Sequence, residues 1–382
     1  MPIFFTGGFR PFFLGAAVIA LLNMLIWIGY LAGSIEIYSL FSPSYWHLHE
    51  MMFGFVGAAI AGFLLTAMPN WTGRPALKGF NLASLFGLWI LGRVTIFYSE
   101  FTGAYFAAIA DLPLFFILGL YIFREISAQG TKRNLPIVIL IFLFGFANAL
   151  MHAELIWGIE TEEYGYRLTV MLVATLIMLI GGRVIPSFTT NWLKQNGGDK
   201  MPILMNRYDL ITILWTLFSM LLWVVMPVNI FTGYLFAGAA ILNAIRLSRW
   251  QFLAIAKNPI LLILHVAYAW LVIGLLLFGV VIILQIDQMD LPIHAITVGG
   301  FTTMILAVMT RASLGHTGRK IIATKLTILV YICINISVIA RLSASIYDVY
   351  ETGFLYISAA TWMLAFGLFI IQYAPYFFTD RK

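Results

Sequence analysis

The feature that most constrains this chain is a succession of long apolar stretches that contain almost no charged residues. A helix that crosses a lipid bilayer needs about 20 mostly apolar residues, and a window of that length selects twelve segments. The predicted fold is therefore all-α: a polytopic membrane protein with a bundle of about twelve transmembrane helices in one domain, residues 1–382. The segments lie at residues 11–33, 46–68, 80–99, 103–124, 135–157, 165–186, 208–226, 229–247, 259–284, 291–313, 322–343 and 353–374.

The composition excludes most alternatives to a membrane protein. Of the 382 residues, 62% are hydrophobic and 10% are charged, whereas a soluble domain has about 25% charged residues. A soluble protein of this size could not bury so much apolar surface, so a water-soluble enzyme and a disordered chain are excluded. The single cysteine, Cys333, cannot form an intramolecular disulfide or a cysteine-based metal site. A bound metal would therefore depend on nitrogen and oxygen ligands, chiefly the six histidines.

The distribution of basic residues predicts the orientation of the chain. The net charge is +6, but no basic run is longer than two residues, so lipid and not nucleic acid is the expected partner of this surface. If both termini and the even-numbered loops lie on one side, that side holds every Lys and Arg except Arg93, Arg167 and Arg341. Loops rich in Lys and Arg stay in the cytoplasm. Both termini are therefore predicted to be cytoplasmic.

This topology gives each histidine a depth in the membrane. One group, from three separate spans, falls in the outer third, and a second group lies near the cytoplasmic face. Neutral imidazole suits copper, zinc and haem iron, so histidines from independent spans at a shared level predict metal ligands. The alternative is that each histidine only caps a helix or bonds to a neighbour. The outer group is His47, His49, His152 and His294, and the inner group is His265 and His316.

The first two histidines of the outer group are only two residues apart. On a regular helix, His47 and His49 would point about 200° away from each other. They could bind one ion only if the second span begins in an extended or frayed form. Otherwise they serve different partners, such as one metal and one hydrogen bond.

Carboxylates and an arginine accompany the outer histidines. Glu50 and Glu154 lie beside histidines, where a carboxylate can orient an imidazole or deliver protons, so they are the predicted catalytic residues. Arg93 and Asp111 fall near the same level in the third and fourth spans. These two residues either form an ion pair between the spans, or Arg93 neutralises a haem propionate.

Five sequence motifs stand in order along the chain: GFRPFF at 8–13, WHLHEM at 46–51, PNWTGRP at 69–75, HAITVG at 294–299 and MTRASLGHTGR at 309–319. Taken together, they resemble the NnrS family, and the resemblance covers nearly the whole chain. It implies a multi-pass protein of the bacterial inner (cytoplasmic) membrane that contains haem b and copper and is linked to nitric oxide metabolism and nitrosative stress.

The inner histidines are predicted to serve a haem or another metal near the cytoplasmic face, where Arg74, Arg311 and Arg319 are available for haem propionates. The predicted cofactor-binding residues are Arg10, Arg74, Arg93, Arg311 and Arg319.

Three functions are compatible with these observations. The first is a redox metalloprotein that binds or reduces nitric oxide, with a quinol or another donor as the source of electrons. The second is a twelve-span transporter, although no pair of Gly/Pro-interrupted spans stands at matching positions in two six-span halves. The third is a haem or copper sensor or chaperone without turnover. Metal analysis with an absorption spectrum separates the transporter from the other two, and consumption of nitric oxide separates the enzyme from the sensor.

Overall fold

The computed structural model describes residues 2–130 and 134–381. Three residues that count toward the predicted cytoplasmic side, Lys132, Arg133 and Lys382, lie outside these ranges. The structure is 81% helical, and its described residues contain no strand. Within these ranges, twelve helices are long and apolar enough to cross a membrane. The predicted all-α, multi-pass membrane fold is confirmed.

We number these helices in chain order. They are α1 (Phe9–Leu31), α2 (Pro43–Thr72), α3 (Phe80–Phe97), α4 (Ala104–Gln129), α5 (Leu135–Trp157), α6 (Glu162–Gln195), α7 (Arg207–Val225), α8 (Ile230–Ser248), α9 (Pro259–Ile283), α10 (Asp290–His316), α11 (Lys325–Ile346) and α12 (Asp348–Phe377).

Several helices extend beyond the apolar windows that predicted them. The clearest case is α6, which has 34 residues where the sequence predicted a span at 165–186. Hydropathy marks only the part of a helix that suits lipid, whereas backbone hydrogen bonding continues into polar residues. Helix α2 likewise begins at Pro43, because proline is favoured in the first turn, where its missing N–H is not needed.

The described residues fall into two compact units. Unit 1 lies within Met1–Leu172, Ala312–Lys320 and Phe366–Lys382, and unit 2 lies within Val173–Arg311 and Ile321–Ala365. Unit 1 therefore contains α1 to α5, and unit 2 contains α7, α8, α9 and α11. The single domain expected from the sequence stays a prediction.

In unit 1, the two ends of the chain lie together. Arg10, in the first turn of α1, donates from Nη1 to the carbonyl oxygens of Phe377 (2.7 Å) and Thr379 (2.9 Å) after the last helix. An even number of spans returns the chain to the side from which it started, and this contact agrees with that parity. That this side is the cytoplasm stays a prediction.

Two local departures from regular helix shape unit 1. Helix α2 changes to a π-helix over Glu50–Val56, immediately after His49. Helix α4 is interrupted at Leu112, next to Pro113, because proline lacks the N–H that would bond to the carbonyl four residues earlier. Interruptions of this kind let a helix turn particular side chains toward its neighbours, and π-segments occur often at functional sites.

Close packing holds α2 in place. A Cβ atom on Gly62 would lie 2.8 Å from the ring of Phe13 in α1, so only glycine allows the two helices to approach this closely. Trp89 of α3 donates from its indole nitrogen to the carbonyl of Gly54, inside the π-segment, at 3.1 Å. The segment after His49 is therefore fixed from two sides.

Candidate metal centre

Three spans of unit 1 bring metal-binding side chains together. His49 of α2, Asp111 of α4 and His152 of α5 each offer a ligand atom, and these atoms lie within 4.8 Å of one another. Their exposed fractions are 0%, 2% and 1%. Each follows from local structure: His49 precedes the π-segment, and Asp111 stands at the break in α4. We call these three residues the cluster.

Both ring nitrogens of His49 face oxygen atoms. Nδ1 lies 3.1 Å from Glu50 Oε1, and Nε2 lies 2.9 Å from Asn148 Oδ1 and 3.3 Å from Asp111 Oδ2. The amide of Asn148 is oriented by its other end, since Nδ2 donates to Asp111 Oδ2 at 2.6 Å. All partners of His49 are therefore acceptors, and in this arrangement both of its nitrogens carry protons.

His152 has one nitrogen inside the cluster and one that is not used. Its Nε2 donates to Asp111 Oδ2 at 3.2 Å. Its Nδ1 is buried and has no hydrogen-bond partner among the described residues. A buried polar atom without a partner is costly, so this nitrogen is notable in a site otherwise rich in hydrogen bonds.

Arg93 of α3 connects the two carboxylates. It donates from Nη1 to Glu50 Oε1 at 2.7 Å and from Nη2 to Asp111 Oδ1. The predicted Arg93–Asp111 ion pair is therefore present. Gly92 makes the approach possible, because a Cβ atom there would lie 2.9 Å from Asp111 Oδ1.

The charges of this buried network nearly cancel. Glu50 and Asp111 carry one negative charge each, and Arg93 carries one positive charge, because arginine stays protonated in proteins. A proton on His49 makes the sum zero. Uncompensated charge is expensive at membrane depth, so the network needs one further positive charge, either that proton or a bound cation.

Aromatic rings enclose the cluster. Phe41 stacks on His49 with ring centroids 5.0 Å apart, and Phe53 lies at the same distance on the next part of α2. Phe41 also contacts His152 edge-on at 5.7 Å. These rings exclude water and lower the local dielectric, which strengthens the electrostatic interactions inside the site.

Two other predicted site residues of unit 1 stand outside the cluster. Pro43–His49 is a regular helical turn, so His47 points away from His49 and stacks on Trp27 of α1 at 4.5 Å. The histidines serve different partners, as a regular helix requires. Glu154 accepts hydrogen bonds from the backbone nitrogens of Thr161 (3.1 Å) and Glu162 (2.7 Å) at the start of α6. Its geometry is that of a helix cap, and its catalytic role stays a prediction.

The basic residues expected near haem propionates have protein partners in unit 1. Arg10 bonds to the chain end, as described above. Arg319 lies over the ring of Tyr376 at 3.9 Å, and Arg74 pairs with Glu125. His316 is exposed and contacts Phe9 at 5.5 Å. The roles of these residues toward haem stay predictions.

Unit 2 contains the remaining candidates. His294 donates from Nδ1 to the carbonyl of Asp290 at 2.7 Å. His265 is buried, with Nδ1 3.0 Å from the carbonyl of Leu261 and Nε2 3.4 Å from that of Trp250. Arg311 lies over the ring of Phe188 at 3.8 Å. His294, Arg311 and His265 therefore stay predicted cofactor residues, described within their own unit.

The sequence does not identify two residues of the network as parts of a metal site. The first is Asn148, although it lies four residues before His152 and so shares its helix face. The second is Asp111, which the sequence predicts only as an ion-pair partner. Its position two residues before Pro113 was the available signal, since a break in a helix often re-aims a nearby side chain.

Comparison with protein families gives a match over nearly the whole chain. The family model described as NnrS protein matches residues 3–381, nearly the whole chain, and confirms the resemblance seen in the sequence motifs. No curated protein matches the chain.

Proposed function

The chain belongs to the NnrS family, and on that premise we propose that it is a haem- and copper-binding protein of the bacterial inner membrane that binds or reduces nitric oxide. We assign the copper to the cluster. The observation that carries the proposal is the cluster itself: two imidazoles and one carboxylate from three spans, buried together.

The donor set suits a transition metal. Nitrogen and oxygen donors of this kind bind copper, zinc or iron. Asp111 Oδ2 is 3.3 Å from His49 Nε2 and 3.2 Å from His152 Nε2. All three ligand atoms lie within 4.8 Å of one another, so one ion bound between them would be within reach of each. Family membership favours copper within this group of metals.

The surrounding residues support ligation by His49 Nε2. Metal-bound histidines usually donate their other N–H to a carboxylate or carbonyl, and His49 Nδ1 faces Glu50 in this way. Arg93 in turn fixes Glu50. A monovalent cation at the cluster would replace the proton on His49 and keep the charge of the network at zero.

Nitric oxide suits a site of this character. It is small, neutral and soluble in lipid, so it needs no charged entrance. Bound copper and haem iron would supply nitric oxide binding and single-electron transfer. Conversion of two nitric oxide molecules to nitrous oxide and water takes up two electrons and two protons, which one quinol can provide. The protein would hold the copper in a dry site, and Glu50 would pass protons toward it.

Haem is assigned to histidines outside the cluster. The outer group has four imidazoles, enough for one copper and an axial haem ligand. With His49 and His152 used for copper, His294 is the proposed axial ligand. Its Nδ1–H bond to a backbone carbonyl is the arrangement usual for a ligating histidine.

The test is a cofactor analysis of the purified full-length protein with matched variants. We expect copper and haem in the wild type, and loss of copper with retained haem in His49→Ala and His152→Ala. Asn243→Ala is the control, because Asn243 is fully buried in another polar network, bonded to Tyr268. Wild-type copper in both histidine variants would refute the site. Absence of haem and copper from the wild type would refute the function and favour a transporter.

Turnover is tested separately. With a supplied reductant, the wild type should consume nitric oxide and form nitrous oxide, and His152→Ala should not. Protein that contains both cofactors but only binds nitric oxide would be a sensor.

A further inference from the structure

Helices α2 and α10 share a structural pattern that is not evident from their overall sequences. Adding 245 to a residue number in α2 gives its counterpart in α10, so that His49 corresponds to His294. In each helix, this histidine directly precedes a π-segment, Glu50–Val56 in α2 and Ala295–Thr302 in α10. π-Segments are rare and occur frequently at functional sites, so their presence at the same position after a histidine in two spans points to a shared role.

The correspondence extends along both helices. Gly54 and Gly299 hold equivalent positions, and neither leaves room for a side chain: a Cβ atom would lie 3.1 Å from Arg93 Nη1 in the first case and 2.9 Å from Trp270 in the second. Both spans end in Thr-Gly-Arg. The glycines there, Gly73 and Gly318, both have positive φ angles, 67° and 76°.

The next span supplies an arginine in each case. In unit 1, Arg93 of α3 binds Glu50, which receives the His49 Nδ1 bond. In unit 2, Arg341 of α11 donates to the carboxylate of Asp290 at 3.2 Å. The order of contacts is the same: an arginine holds an acidic residue, and that residue holds Nδ1 of the histidine.

The second copy differs in how the acid holds the histidine. Asp290 accepts from His294 Nδ1 with its backbone carbonyl, at 2.7 Å, while its carboxylate accepts from Arg341 and from Ser345. A carbonyl only accepts, so Nδ1 carries a proton, and in the neutral imidazole Nε2 then carries the lone pair that a metal would use. Arg341 also bonds to Ser345 at 2.8 Å, which closes a three-residue clamp on the first turn of α10.

We propose that Arg341, acting through Asp290, is the positioning residue that orients His294 Nε2 toward a transition-metal cofactor, as Arg93 does through Glu50 for His49. This inference rests on the proposed function, since it requires a cofactor on the protein. The competing role for Arg341 is a plain ion pair that anchors the start of α10.

The experiment uses the purified full-length protein with the cofactors it carries. Optical and electron paramagnetic resonance spectra report the ligation of haem iron and Cu(II), and gel filtration confirms a single folded species. The variants are His294→Ala, Arg341→Gln and Arg341→Lys. Arg167→Gln is the control, because Arg167 is an arginine of another span that pairs with an acidic residue on its own helix.

We expect His294→Ala to lose the signal of one histidine-ligated metal. Arg341→Gln should shift that signal and weaken retention of the same cofactor by about 10- to 100-fold, as removal of an outer partner of a metal ligand typically does. Arg341→Lys should recover part of the shift, and Arg167→Gln should match the wild type. If Arg341→Gln does not fold, Ser345→Ala is used instead. It removes one hydrogen bond to the Asp290 carboxylate and keeps Arg341, so a smaller shift in the same signal is expected.

The outcomes separate this inference from the proposed function. A wild type without haem and copper refutes the function. Cofactors that are present and unchanged in His294→Ala refute the ligand role of His294 alone. A spectrum altered by His294→Ala but not by Arg341→Gln or Ser345→Ala refutes the positioning role, as does an equal change in Arg167→Gln.

Discussion

Replacing Arg93 by methionine tests how the charges of the buried network compensate one another. Its guanidinium donates to Glu50 and to Asp111, and the side chains of all three residues are at most 6% exposed. Methionine keeps much of the side-chain volume but removes the charge. Two carboxylates would then share the site with only the proton on His49 to offset them.

The free energy of unfolding should fall, because Arg93→Met removes one partner of a buried ion pair. Such a loss destabilises a protein by about 3–5 kcal/mol, and here the one cation serves two anions, so the upper part of that range applies. Adding Asp111→Asn removes one of the unpaired charges. The double variant should therefore be more stable than Arg93→Met alone, with a coupling of about 1–3 kcal/mol.

The assay is unfolding of the purified protein in detergent by titration with dodecyl sulfate, followed by circular dichroism. Arg74→Met is the control: Arg74 pairs with the single carboxylate of Glu125 and its own side chain is 41% exposed, so the change should cost less than Arg93→Met. Equal costs for Arg93→Met and Arg74→Met, or an additional loss on adding Asp111→Asn, would refute the reasoning.

Three further predictions address other parts of the molecule. Glu154→Ala should cost about 1 kcal/mol of unfolding free energy through loss of a helix cap and leave copper content unchanged; reduced copper at unchanged stability would instead assign Glu154 to the metal site. Gly62→Ala should cost about 1–3 kcal/mol through overpacking against α1, whereas Gly87→Ala, where a Cβ atom meets nothing within 4 Å, should be neutral or stabilising; similar losses for both would contradict the packing argument. A reporter active only in the periplasm should give no signal at the C-terminus, and a strong signal there would overturn the predicted orientation.

The spans could be predicted from sequence because each depends on a property of about twenty consecutive residues. Composition over such a window is insensitive to single positions, and all twelve predicted segments coincide with helices. Helix ends were less predictable, as the longer α6 shows, because lipid exposure and helical hydrogen bonding stop at different residues.

The cluster was only partly predictable, since it depends on where individual helices depart from regularity. The histidines stood out because ionisable groups are rare in apolar spans. The partnership of His49 with Asp111 and Asn148 depends on the π-segment of α2 and on the break in α4. Pro113 signals the break, whereas the sequence EMMFGFV at Glu50–Val56 carries no comparable local signal for a π-helix. The matching π-segment of α10 is recognisable only in the structure.

Copper content per chain decides whether His49, Asp111 and His152 hold a copper ion. Full-length protein, Asp111→Asn and His152→Ala should be purified as single folded species and analysed for copper together with an optical spectrum. We predict copper in the wild type, with loss of copper and retention of haem in both variants. Copper at wild-type levels in both variants would contradict the account.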